Sequence, residues 1–82
     1  MDIKEISNAI MELFKKLNYK EGAVLLPQMI LKFYQDLSTP EKELFDYAIH
    51  DLKSQNLITI EDAINSKQYR LTKTGYEYIY NK

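Results

Sequence analysis

With 82 residues, 45% hydrophobic and 28% charged, the chain has the composition of one small globular domain (1–82), able to bury roughly 60–65% of its unfolded surface. Cysteine is absent, which excludes a disulfide framework and a Cys-ligated zinc site. A net charge of −1 argues against non-specific coating of nucleic acid but leaves room for a local basic patch.

Ile3, Ile6, Ile10, Leu13, Phe14 and Leu17 recur at helical spacing and predict an amphipathic helix over 3–17. Lys15 and Lys16 sit in its last turn, where the helix dipole favours cations. Asn18 to Gly22 reads as a connection, and Ala23-Val24-Leu25 as a short apolar run. Pro27 opens a second helix, expected over 27–37, with Leu26, Ile30, Phe33, Tyr34 and Leu37 on its inner face. Leu31 falls outside that face, as an ordinary exposed leucine or as a dimer contact.

Ser38-Thr39-Pro40 makes a tight break before a third helix. Ser38 or Thr39 can cap it, and Glu41 stands three residues after Ser38 as a capping-box partner. Leu44, Phe45, Ala48, Ile49 and Leu52 form its apolar face. Asn56 can take the left-handed conformation that ends a helix, with Leu57 folding back on the last turn. Ile58-Thr59-Ile60 and Gln68-Tyr69-Arg70-Leu71 alternate like half-buried strands, so Tyr69 and Leu71 face the core while Arg70 faces out. Between them Glu61 to Lys67 reads as a polar connection, turning at Asn65-Ser66. Thr72 can cap a last helix from Lys73 to about Tyr80. A strand also fits Tyr76–Tyr80, but the helix puts Tyr76, Ile79 and Tyr80 on one face and is preferred.

Two pieces of sequence, N-L-I at Asn56–Ile58 and Y-R-L-T-K-T-G at Tyr69–Gly75, resemble the winged helix-turn-helix family of bacterial and phage regulators. Many such regulators carry G-L-I before the wing and Y-x-L-T-x-x-G after it. Asn56 replaces the usual glycine, and both residues tolerate the turn. The resemblance implies an α+β, mostly helical fold: a three-helix bundle with a C-terminal β-hairpin wing and a short terminal helix. It also implies that Ala23–Leu25 pairs with the hairpin as an edge strand, and it agrees with a helix after Thr72.

For function, the resemblance implies a transcriptional regulator that binds double-stranded DNA, with its third helix in the major groove and its wing on phosphates. Carried onto this chain, the third-helix contacts are Thr39, Lys42, Glu43, Asp46, Tyr47 and His50. The wing contacts are Ser66, Lys67, Arg70 and Lys73, with Lys20 and Lys32 as further cations. Glu43 and Asp46 can accept from cytosine, and Ser54 is permissive. A homodimer is expected with this mode of binding.

Charge complicates that reading. Glu41 to Asp62 holds six acidic residues against Lys42 and Lys53, a balance of −4, whereas Lys67 to Lys82 balances to +3. Acidic side chains at the start of the third helix would face a phosphate-lined groove. The alternative is a protein-interaction winged helix whose acidic third helix docks on a basic or mixed protein partner without binding DNA. Lys67, Arg70 and Lys73 are then solvated charges, and the late tyrosines are core, rim or contact surface. An enzyme is not expected. The sole histidine, His50, could hold a metal with Asp46 one helical turn before it, but two ligands are too few, and no hydrolase or phosphate-loop motif occurs. No cofactor and no metal are expected. No leader or apolar run of transmembrane length is read, so the expected compartment is the cytoplasm, with no membrane partner.

Overall fold

A computed structural model of the chain describes residues 1–64 and 66–80, with the backbone alone for Ala63 and Ser66. The architecture is α+β. Helices α1 (Ile3–Lys16), α2 (Pro27–Gln35) and α3 (Thr39–Ser54) precede an antiparallel hairpin of β1 (Ile58–Ala63) and β2 (Ser66–Leu71), followed by α4 (Lys73–Tyr80).

The two long helices start and stop by the same local chemistry. Asp2 caps α1 and Ser38 caps α3, each side chain accepting from the backbone N–H three residues on. The residues there, Glu5 and Glu41, return the bond to the cap's own N–H, completing two capping boxes. At the far ends Asn18 and Asn56 take left-handed φ values of 56° and 63°. Tyr19 N–H then donates to the Phe14 carbonyl, and Leu57 N–H to the Leu52 carbonyl, both at 3.0 Å. Those bonds satisfy carbonyls that the helix leaves open. The stop expected at Asn56 is found, and the same device at Asn18 turns the chain out of α1.

α1 packs on α3, and together they supply most of the core. Ile6, Ile10, Met11 and Phe14 from α1, with Ala48, Ile49 and Leu52 from α3, are all buried. Burial of each large side chain contributes about 1.5–3 kcal/mol. Ser7 is the buried polar residue in this interface. Its hydroxyl lies 3.3 Å from the Ala48 carbonyl and 3.2 Å from the Asp51 carboxylate, so burying it forfeits no hydrogen bond.

α2 departs from the expected pattern. It ends at Gln35, with Asp36 as its C-cap and Leu37 in the turn, and none of its own residues is fully buried. Ile30 and Phe33 pack on the core, but Leu26 is 48% and Tyr34 37% exposed, so the inner face is narrower than five residues. The reason is its placement: Leu26 precedes the helix in extended conformation, and a nine-residue helix on the flank of the bundle buries only a stripe.

The hairpin is longer than expected. Glu61 to Ala63 and Ser66 to Lys67 continue the ladder, with Glu61 opposite Gln68 and Asp62 opposite Lys67. Asn65 lies outside the described residues, and Ser66 is the first residue of β2 rather than part of a turn. Charged residues extend the strands here because the backbone ladder is satisfied whichever face is wet. Residues 22–25 pair with the other edge of β2 as a single bridge, Val24 to Arg70, flanked by backbone bonds from Gly22 and Leu25 to Leu71 and Tyr69.

α4 forms as preferred. Thr72 caps it, accepting from Gly75 N–H at 2.9 Å, while its hydroxyl also lies 2.6 Å from the Asn56 carbonyl and 2.9 Å from that of Leu57. A Cβ at Gly75 would stand 2.1 Å from the Leu57 carbonyl oxygen, so the helix can approach this closely only with glycine. Ile79 is buried, and the Tyr78 hydroxyl reaches Asn8 of α1. Among the described residues no helix is long and apolar enough to cross a membrane.

Candidate functional site

The capping box at Ser38 sets where α3 begins, and its apolar stripe then turns the opposite face outward. Thr39, Glu43, Asp46, Tyr47 and His50 are all exposed, Tyr47 at 64%. Their spacing places Glu43, Asp46, Tyr47 and His50 together on one helix face. Lys42 is half-buried, with its ammonium 5.6 Å from the centre of the Tyr34 ring. Ser54 is turned back, its hydroxyl donating to the Asp51 carbonyl.

The acidic run between Glu41 and Asp62 separates into two kinds of residue. Glu41 completes the cap and meets the Met1 ammonium at 2.9 Å. The bond from the Ser38 backbone N–H, then the bond from the Met1 ammonium, hold its carboxyl well below the usual range, at about 2. Asp51 takes the Ser7 hydroxyl and the Gln55 amide, and Glu61 pairs with Arg70. Those three carboxylates are engaged within the fold. Glu43, Asp46 and Asp62 have no ion pair or side-chain hydrogen bond among the described residues. Asp46 is felt by Tyr69, whose hydroxyl is pushed up first by burial and then by that neighbouring charge.

The basic residues of the hairpin divide as sharply. Arg70 lies on the outer face, as expected, but it is clamped: Nε and Nη2 each lie 2.9 Å from Oε1 of Glu61, and Nη1 donates to the Gly22 carbonyl. Lys67 is three residues away, so strand alternation turns it to the inner face with Tyr69. It is exposed and makes no ion pair among the described residues, although Asp62 stands opposite it. Lys73 is exposed at the start of α4. The side chain of Ser66 lies outside the described residues.

The structure also brings together residues that the sequence left apart. Ile30, Leu31 and Tyr34 of α2, Phe45 of α3, and Lys67 and Tyr69 of β2 line a hollow of about 430 Å³. Tyr34 and Phe45 meet edge to face at 5.2 Å. Leu31, out of phase with the inner face of its helix, was the signal in the sequence. Among the described residues no group of three His, Cys, Asp or Glu side chains could hold a metal ion. In comparisons with known proteins no family model matches the chain, and no curated protein or solved structure matches it significantly.

Proposed function

We propose that the protein is a small winged-helix regulator of transcription that binds double-stranded DNA, with α3 entering the major groove and the hairpin serving as its wing. The observation that carries this reading is the uncovered outer face of α3, presented by a helix, a tight turn and a second helix and followed directly by a hairpin. Glu43, Asp46, Tyr47 and His50 are the side chains offered to base edges, with Thr39 at the helix start. Lys42, near the Tyr34 ring, and Lys67, which lines the same hollow as Tyr34, are the candidate phosphate contacts, joined by Lys73. Arg70 is left out, because gripping a phosphate would cost it Glu61 and Gly22.

Fluorescence anisotropy with mixed-sequence duplex DNA at two salt concentrations tests the reading. Binding with a dissociation constant on the order of 10⁻⁶–10⁻⁴ M that weakens steeply with salt is expected. Lys67→Ala should lower the salt slope by about one, whereas Arg70→Ala should leave it unchanged. Absence of binding at low salt would sink the proposal.

One observation favours a second reading, in which α3 docks on a basic protein surface. Among the described residues the carboxylates of Glu43 and Asp46 have no ion pair on the open face, and the chain's one arginine is already engaged. A partner surface rich in lysine or arginine would complement them.

A further inference from the structure

The hollow between α2, α3 and β2 has the makings of a ligand site. Its walls are aromatic and aliphatic: Ile30, Leu31, Tyr34, Phe45 and the ring of Tyr69. It is an open hollow of about 430 Å³, within the roughly 300–1,000 Å³ range of small-ligand clefts. Two polar groups belong to it. Tyr69 is 9% exposed, yet its hydroxyl has no hydrogen-bond partner among the described residues and is not sealed from solvent. The hydroxyl therefore faces solvent and is open to the polar group of a ligand. Lys67, two residues along the same strand face and so about 7 Å away, also lines the hollow and makes no ion pair among the described residues.

We propose that this hollow binds a small amphipathic anion, an aryl or branched-alkyl carboxylate, with its apolar body against Tyr34, Phe45 and Tyr69 and its carboxylate on Lys67. The charges around the hollow fix the orientation. Asp46 lies on the α3 side, close enough to act on Tyr69, and repels a carboxylate placed there. Lys42 is drawn to the ring of Tyr34, and Asp62 faces Lys67 across the ladder without pairing with it. The acid group therefore goes to the hairpin side. The Tyr69 hydroxyl donates to it or to a polar substituent on the ring. A hydrogen bond of this charge-assisted kind is about twice as strong as a neutral one.

The test is a ¹⁵N–¹H titration of the intact chain, free of DNA, with phenylacetate and with its neutral isostere phenylacetamide. Saturable shifts confined to Ile30–Tyr34, Phe45 and Lys67–Tyr69 are expected, with phenylacetate binding about tenfold more tightly than the amide. Lys67→Met keeps the apolar stem and removes the charge, so it should erase that preference while leaving amide binding in place. Tyr69→Phe should weaken the acid and keep the fold. Shifts that do not saturate, that spread over the whole surface, or that are equal for acid and amide in the parent chain would overturn the proposal. So would shifts of the same residues that follow protein concentration alone, because a second copy would then occupy the hollow.

Discussion

The seam where Asn56–Leu57 meets Thr72–Gly75 and the open face of α3 differ most in how their polar groups are engaged. At the seam the backbone is tied down: the Leu57 carbonyl receives Thr72 N–H, the Thr72 hydroxyl reaches two carbonyls, and the Gly75 N–H is capped. On α3, Glu43 and Asp46 have no ion pair or side-chain hydrogen bond among the described residues, and Tyr47 stands 64% exposed. Asn56, Leu57, Thr72 and Gly75, among the residues behind the family resemblance, make the seam, and their chemistry holds the hairpin and α4 onto the bundle. A resemblance carried by such residues speaks for architecture. Function has to be read from the face that the architecture leaves open.

Substitutions can break this contrast, and the largest effect is expected at the seam. Gly75→Ala drives a methyl into the Leu57 carbonyl and should cost about 2–4 kcal/mol, read from urea unfolding. Asn56→Ala, at a φ of 63°, should cost about 1–2 kcal/mol, while Asn56→Gly should be close to neutral. Changes on the open face should fall within about 0.5 kcal/mol: Glu43→Ala or Tyr47→Ala should leave unfolding unchanged yet alter which duplex is preferred. The Arg70–Glu61 pair lies between these extremes, since both side chains are over 40% exposed, and Arg70→Ala should cost no more than about 1 kcal/mol.

A smaller effect depends on pH. The folded-state pKa of Glu41 is depressed from 4.5 to about 2, so its contribution is fully present above pH 4.5 and disappears as pH falls toward 2. Glu41→Gln should flatten the stability profile across that window. An unaltered acid profile in the variant would show that the cap and the Met1 contact contribute nothing in solution.

Much of this layout was legible in the chain. Ser38 with Glu41 marked the start of α3, Asn56 its end, and Thr72 with the Tyr76, Ile79, Tyr80 spacing suggested α4, because capping and turn chemistry are local. The length of the hairpin was not legible: Glu61, Asp62 and Lys67 show no apolar alternation, and their pairing comes from the backbone ladder. Nor could the acids be sorted, since Glu41 meets Met1 from 40 residues away and Asp51 meets Ser7 from 44. For the candidate site, the outward set Glu43, Asp46, Tyr47 and His50 followed from helical phase. The hollow did not, because three elements distant in sequence make it.

The most direct test is to titrate the ¹⁵N-labelled chain with a mixed-sequence duplex at low salt and map the amide shifts. The amides of Lys42, Glu43, Asp46, Tyr47, His50, Lys67 and Lys73 should move, while residues 56–58 and Gly75 stay in place. Shifts absent from α3, or centred on the seam, would contradict DNA binding through α3.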